Sequence, residues 1–303
     1  MAEDVSPTVA RRRLRLALRE AREHAQKTQQ DVAEQMEWSQ SKVIRIENGD
    51  VTIAPNDLRP LLTYLGVTDR SVIAAHAADA KIARRRQRQA WHQRPEYRDT
   101  LTPAMKRYIE YEAEAAAIRY WSIFYMPGPL QTSDYARANL ESFDDDDISP
   151  QERRYRAEAR RMRREVVLER LGTLKIYALL DESVFRRPLG GTAVFLEQMR
   201  EIHRLATSGL IKVKMVPFDF EAAVTNNATF DLVSLDEDDD GSEVLYREVG
   251  LGDEIIEDRA TTRRHHARFD KIWNDANSEE DTIDFMRGRI TELESVQRRK
   301  NPE

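Results

Sequence analysis

Gln40, Ser41, Lys42 and Arg45 are interleaved with Val43 and Ile46, a pattern that gives a helix one polar and one apolar face. Gln pairs bidentately with adenine, Arg with guanine, and Lys with a base or a phosphate, so the polar face has the chemistry to read base edges in a major groove. Upstream, Thr28 and Gln29 open another helical stretch, where side chains and first-turn backbone N–H groups are placed to meet phosphate. Ser39 stands where the base-reading helix needs an N-cap, and joins the candidate DNA-binding set.

The elements that must hold this face are legible on either side of it. Thr28 caps a predicted helix from Gln29 to Met36, with Val32, Ala33 and Met36 inward. A third helix runs from Gln40 to Glu47 and stops at Asn48-Gly49, residues that tolerate the left-handed region. Ala33 is small where the two helices must cross closely, and Val43 and Ile46 hold the third helix from behind. A first helix presents Leu14, Leu18 and Ala21 on one side; Pro55 opens a fourth (Leu58, Leu61, Leu62 and Leu65 inward), and Asp69 or Ser71 a fifth. The spacing from Thr28 to Gly49 is that of a helix-turn-helix, and residues 1–80 are expected to form an all-α, five-helix DNA-binding domain.

The chain has 303 residues, 40% of them hydrophobic, enough for two domains with cores of their own. It has no cysteine, which excludes disulfides, thiol nucleophiles and cysteine-based zinc sites. There is no apolar run of membrane-spanning length, and the start MAEDVSPTVARRR lacks the apolar centre of a secretory signal, so the expected location is cytoplasmic. The net charge of −6 divides unevenly: residues 1–100 carry 18 Lys and Arg against 14 Asp and Glu, and the remainder 30 against 40. Phosphate affinity follows local basic surface, so an acidic second domain is compatible with a basic reading head.

Residues 81–100 are polar and basic and are read as a linker. Residues 101–300 are expected to form a larger mixed α/β domain, making the class α+β. A helix is predicted through Met105, Ile109, Glu112, Ala116 and Arg119, a break at Met126–Pro129, and a helix from about Asp134. Asp144–Asp147 reads as a solvated loop, and a charged helix follows Ser149-Pro150 to about Leu171. About four strands form a small sheet: Leu174–Leu180, Ile211–Val216, Thr229–Leu235 and Glu243–Val249. A helix at Thr192–Ala206 separates the first two, the acidic segment Asp236–Asp240 with Gly241 forms a hairpin loop between the last two, and helices follow Asp258.

Residues 11–66 resemble the Xre/Cro-type helix-turn-helix domains, and the stretch Trp38–Gly49 is similar to the version in a large actinobacterial group. There the DNA-binding domain precedes an antitoxin-like regulatory domain, long catalogued as a domain of unknown function. Pro127–Thr132 with Asp134-Tyr135-Ala136-Arg137 resembles that domain's PGLLQT-x-x-YAR signature. Asp181-Glu182-Ser183, Arg186–Gly191 and Met215–Phe218 resemble it too. Two positions depart from the pattern: Glu37 replaces the usual turn Gly, at a cost of about 1 kcal/mol if φ is positive, and Pro129 replaces Leu. The resemblance implies transcriptional regulation, often with a small partner protein encoded next door, and points to Pro127, Gly128, Leu130, Gln131 and Thr132 as partner contacts.

Other features carry less chemistry. Adjacent His265 and His266 on a helix point about 100° apart and make a poor metal pair, and the Asp runs lack EF-hand spacing, so no metal or cofactor is expected. The arginines Arg153, Arg154, Arg156, Arg160, Arg161, Arg163 and Arg164 are read as a helix laced with Glu152, Glu158 and Glu165 in i,i+4 pairs, with DNA or an acidic partner as the alternative. No nucleotide-binding or catalytic motif occurs, so no enzymatic activity is expected. The reading is a sequence-specific transcriptional regulator, homodimeric on a pseudo-palindromic double-stranded operator. The alternatives are an antitoxin-like protein that mainly sequesters a small partner, and a small-molecule sensor with a ligand pocket in the α/β body.

Overall fold

Local capping chemistry sets most of the helix starts. In the computed structural model, Thr28 Oγ accepts from the Asp31 N–H at 3.1 Å while Asp31 accepts from the Thr28 N–H at 2.8 Å, a closed capping box. Ser39 accepts from the Lys42 N–H, and Asp69 from the Ser71 and Val72 N–H groups. The structure describes residues 7–84, 91–98, 100–142, 149–221, 229–236, 243–249 and 252–300. They divide into two units, Met1–Ala90 and Trp91–Glu303.

The first unit holds α1 (Pro7–His24), α2 (Gln29–Gln35), α3 (Gln40–Asn48), α4 (Pro55–Tyr64) and α5 (Arg70–Ala83). Leu14, Leu18, Val32, Ala33, Val43, Ile46, Leu58, Leu61 and Leu62 form its core, as their spacing predicts. Each fully buried aliphatic side chain contributes about 1.5–3 kcal/mol. Two backbone positions set the turns around α3. Glu37 sits at φ 54°, the left-handed conformation that its place in the turn foretold, and Gly49 ends α3 at φ 82°. A Cβ on Gly49 would lie 2.8 Å from Arg15 Cδ, so the Arg15 side chain would have to shift, and the positive φ is what favours glycine there.

The second unit is a sheet covered on both faces. Its helices are α6 (Pro95–Arg98), α7 (Pro103–Glu114), α8 (Ser133–Ser142), α9 (Pro150–Glu169), α10 (Glu182–Arg186), α11 (Gly191–Thr207), α12 (Arg259–Asp275) and α13 (Glu279–Lys300). The strands are β1 (Ala117–Ser122), β2 (Lys175–Asp181), β3 (Lys212–Val216), β4 (Phe230–Ser234), β5 (Glu243–Val249) and β6 (Gly252–Ile256). They run in the order β3-β2-β1-β4-β5-β6; β3, β2 and β1 are parallel, and β4, β5 and β6 add antiparallel. Ile118, Tyr120, Ile176, Ala178, Leu180 and Val213 pack with residues of α11 and α13. Trp121, Leu179, Leu232 and Leu245 pack with Phe269 and Ile272 of α12. Among the described residues no helix is long and apolar enough to cross a membrane.

Several expectations need correction. The sheet has six strands among the described residues, not about four. Ala117 and Arg119, expected to continue a helix, lie in β1, because a central strand buried on both faces loses the period-two pattern. The edge strand β6 is short and half-buried, with no alternation to announce it. Within the stretch read as linker, α5 continues to Ala83, and Trp91–Gln93 form a 3₁₀ turn followed by α6, with His92 and Tyr97 buried. Residues 85–90, the Asp144–Asp147 loop and the 237–241 part of the acidic hairpin lie outside the described residues.

A buried polar cluster lies beneath α7 and α9. Arg163 and Glu112 form a bidentate pair at 2.9 and 2.8 Å, both nearly inaccessible to solvent. Burial opposes the Arg163 charge, and the adjacent Glu112 carboxylate more than restores it, holding the guanidinium above its ordinary range. Tyr108 stacks on Tyr246 with centroids 4.2 Å apart and donates its hydroxyl to Asp231 Oδ2 at 2.6 Å. Burial pushes the Asp231 carboxyl up to about 7, although the Tyr108 hydrogen bond works against the rise.

Glu112→Gln leaves the Arg163 cation buried without its counter-charge, and should cost about 3–5 kcal/mol of stability of the second unit in urea unfolding; a loss below about 1 kcal/mol contradicts the buried-pair assignment. Gly49→Ala should destabilise the first unit by about 1–2 kcal/mol, read in the same titration as a shift of a transition that Glu112→Gln leaves in place. The Asp231 carboxyl binds its proton more tightly folded than unfolded, so stability should fall as pH rises from about 4 to about 7 and then level off. Asp231→Asn should flatten that slope; an unchanged slope in a folded variant assigns it to other groups.

Candidate nucleic-acid interface

Glu47, near the C-terminal end of α3, is buried, and its carboxylate gathers the surrounding helices. Arg22 of α1 donates to it through Nε and Nη2 at 2.6 and 3.0 Å, and Gln29 of α2 donates through Nε2 at 2.8 Å. The Arg22 side-chain hydrogen bond to Glu47 raises the guanidinium pKa, with burial working the other way. Arg22 also donates to the Lys27 carbonyl at 2.9 Å, just ahead of the Thr28 cap. With Val43 and Ile46 in the core, α3 has little rotational freedom, and Gln40, Ser41, Ile44, Arg45 and Asn48 are left exposed.

The expected reading face is therefore assembled, with changes in role. Gln40, Ser41 and Arg45 are exposed, and Arg45 has no ion-pair partner among the described residues. Ser39 is exposed and acts as the N-cap. Lys42 is half-buried: its Nζ lies 3.7 Å from the Trp38 ring centroid and 3.4 Å from Asp57, so any contact with DNA draws it from two existing interactions. Thr28 is exposed, and its hydroxyl accepts from Asp31 N–H and also bonds the Asp31 carboxylate, so a phosphate contact through this side chain draws its proton from the capping box. Asp31, held below the usual carboxylate range by its bonds from Thr28, places negative charge beside that proposed phosphate contact. The Gln29 side chain is occupied by Glu47, leaving only its backbone for phosphate.

Two contributors escaped the sequence reading. Ile44 is an exposed large apolar side chain in the middle of the polar face, suited to a thymine methyl. A period-3.6 pattern could have flagged it, because it lies between the inward Val43 and the outward Arg45. Glu47 is legible as part of the Glu47-Asn48-Gly49 end of the third helix, but its role as the shared acceptor of Arg22 and Gln29 is not, because both partners are distant in sequence.

In the second unit the signature loop is a wall, not a protrusion. Pro127, Leu130 and Gln131 are buried, and Gly128 and Thr132 are half-buried. Gly128–Leu130 make one 3₁₀ turn, and Gln131 Nε2 closes it by donating to the Met126 carbonyl at 2.7 Å. Gln198 of α11, fully buried, grips the loop from behind: it donates to the Leu130 carbonyl at 2.9 Å and accepts from the Thr132 N–H at 2.7 Å. Pro129 fits an early position of the turn, where its missing N–H costs nothing, and its carbonyl accepts from Arg164 at 3.2 Å. The other signature segments meet at the ends of the parallel strands, where Phe218 N–H donates to Glu182 Oε2 and Ser183 Oγ to the Ile123 carbonyl, both at 2.8 Å.

The arginine run of α9 also differs from its expected lacing. Of the i,i+4 pairs only Arg161–Glu165 forms among the described residues, and Arg163 and Arg164, which have no acid four residues away, reach Glu112 and Glu201 on other helices. The adjacent histidines diverge as expected, His265 toward the Thr261 carbonyl and His266 toward Glu243.

Comparison with known proteins returns two family models. Residues 13–75 match a Helix-turn-helix domain, and residues 105–288 match the Domain of unknown function (DUF5753). No curated protein and no solved structure matches the chain. The second match spans more than half of the sequence, and the chain thus belongs to the family defined by the Domain of unknown function (DUF5753), here preceded by a helix-turn-helix domain.

Proposed function

We propose that this protein is a sequence-specific transcriptional regulator of the Xre type that reads double-stranded DNA with α3. The observation that carries the reading is the exposed row Gln40, Ser41, Ile44 and Arg45, on a helix fixed from behind by Val43, Ile46 and the Glu47 network. Arg and Gln supply base-edge hydrogen bonds, Ile an apolar contact, and the Thr28 hydroxyl a phosphate contact. A regulator of this kind acts in the compartment that holds the chromosome, here the cytoplasm.

One short recognition helix covers only a few base pairs. Two related by a two-fold axis, about one helical turn apart, add their contacts, which favours a homodimer on a pseudo-palindrome. The second unit, without a catalytic motif, is assigned the regulatory input instead of a reaction. A small, antitoxin-linked protein partner is supported by the resemblance, whereas the burial of Pro127, Leu130 and Gln131 disfavours this loop as a flat docking surface.

Arg45→Ala and Gln40→Ala should each cost about 1–3 kcal/mol on specific sites and relax base preference at one operator position per half-site. Thr28→Ala should weaken all sequences alike. Genomic footprinting followed by binding isotherms checks both, and the assignment of α3 fails if folded Arg45→Ala and Gln40→Ala variants keep wild-type affinity and preference. Sedimentation should give twice the chain mass, and the footprint two half-sites; a monomer on a single asymmetric half-site refutes the dimer.

A further inference from the structure

Arg160, on the inward side of α9, has a guanidinium that the neighbouring arginines' pattern does not explain. Arg161, Arg163 and Arg164 each have a carboxylate partner. Arg160 forms no ion pair among the described residues; its one hydrogen bond is a long 3.4 Å contact to the Ala136 carbonyl. Burial lowers its pKa, with the charge of Glu248 opposing. Arg160 is half-buried, and a partly desolvated guanidinium without a bonded counter-charge gains from an anion whose oxygens meet its planar fork.

Arg160 lies where two cavities adjoin, both walled by Gly128 and Gln131 of the signature loop. The outer one, about 240 Å³, is lined by Arg137, Arg160, Arg161 and Arg164 with Glu158; Arg137, Arg161 and Arg164 are paired with Asp134, Glu165 and Glu201, so the uncompensated charge in the wall is that of Arg160. The inner one, about 70 Å³, has room for several water-sized groups and is lined by Ser122, Tyr125, Asp231, Tyr246 and Glu248 among others. Two groups in its wall are buried and lack partners: Gln131 Oε1, an acceptor, on a residue 2% exposed, and the Tyr246 hydroxyl, on a residue 5% exposed. Two such atoms in one cavity wall, beside a guanidinium without an ion pair among the described residues, bring an acceptor, a hydroxyl and a cation together on one space.

We infer that this paired cavity binds a small phosphate monoester, its phosphoryl group against Arg160 and the outer arginines and its hydroxylated remainder in the inner cavity against Gln131 and Tyr246. A phosphoryl group suits the outer wall because Arg160 has no ion-pair partner among the described residues, while Arg137, Arg161 and Arg164, each paired with a carboxylate, still present planar forks with N–H groups to spare. The inner cavity carries Asp231 and Glu248 against Arg160, Arg163 and Arg247, and its acceptors, Gln131 Oε1 and the two carboxyls, suit a remainder that donates hydrogen bonds, as hydroxyls do. The site gives the regulatory input of the proposed function a chemical class; its existence rests on the second unit alone, its regulatory meaning on the DNA-binding reading.

Calorimetric titration of the full chain, without DNA, with inorganic phosphate, ribose 5-phosphate and ribose tests the site. Inorganic phosphate should bind saturably at one site per chain, ribose 5-phosphate more tightly, and ribose not at all. Arg160→Gln should weaken both phosphates at least tenfold, and the exposed Arg161→Gln, which keeps the fold if the first variant does not, severalfold. Tyr246→Phe, which keeps the ring stacked on Tyr108, should reduce the advantage of ribose 5-phosphate over phosphate. Absence of saturable binding at millimolar concentration, or wild-type affinity in folded Arg160→Gln and Arg161→Gln, overturns the proposal, and tighter binding of a carboxylate such as gluconate replaces its ligand class. Operator affinity of the wild type, measured separately with and without ribose 5-phosphate, then tests the regulatory link: failure of operator binding alone counts against the DNA reading and leaves the site standing.

Discussion

The first unit depends on one buried carboxylate. Glu47 receives two hydrogen bonds from Arg22 and one from Gln29, so α1, α2 and α3 share a single charge-assisted junction. Apolar packing alone would let α3 roll over Val43 and Ile46, since side chains of similar size fill a core in more than one way. A buried ion pair is a poor source of net stability, but it is intolerant of misalignment, because a displaced partner leaves an uncompensated charge. The junction converts a greasy contact into a defined angle, and the angle is what brings Gln40, Ser41 and Arg45 to one surface. Gly49 belongs to the same constraint: the chain must turn away immediately after Glu47, and the Arg15 side chain occupies the space a Cβ would need.

The second unit solves a related problem around α9. Three arginines within about one turn of that helix reach different elements, Arg163 to Glu112 of α7, Arg160 to a carbonyl of α8, and Arg164 to Glu201 of α11 and to the signature loop. Gln198 holds the other side of the loop through two hydrogen bonds. The Gln and Thr of the signature therefore act as backbone fasteners, with the Gln131 amide N–H closing the turn and the Thr132 N–H anchoring it to α11.

What could be read from the sequence was what local chemistry determines. Thr28, Ser39, Asp69, Ser149 and Asp258 cap helices through atoms within three residues, so the starts needed no tertiary information. The strands β2, β3, β4 and β5 were legible because apolar runs of strand length were bounded by polar turns. β1 was not: Ala115 and Ala116 extend the helical composition of α7 into a strand whose buried residues face both ways. Side-chain roles decided by distant partners were the hardest to read. Gln29 has the position of a phosphate ligand, yet its amide is engaged by a residue eighteen positions away. The α9 arginines have the spacing of a solvated helix, yet Glu112 and Glu201, far off in sequence, claim two of them.

Arg160 differs from its neighbours in that respect, and the difference bears on how the second unit can respond to anything. A ligand shifts an equilibrium only by binding two states unequally, so a site walled entirely by saturated groups offers little leverage. Here α7, α8, α11 and the signature loop all meet α9 within the turn that carries Arg160, and each of those contacts is already satisfied. An anion bound at the proposed site would compete only with the long 3.4 Å bond from Arg160 to the Ala136 carbonyl, and would join α9 to the Gly128–Gln131 wall. Because the contacts on either side are directional hydrogen bonds and not deformable packing, such a link has two outcomes, resistance or a discrete rearrangement.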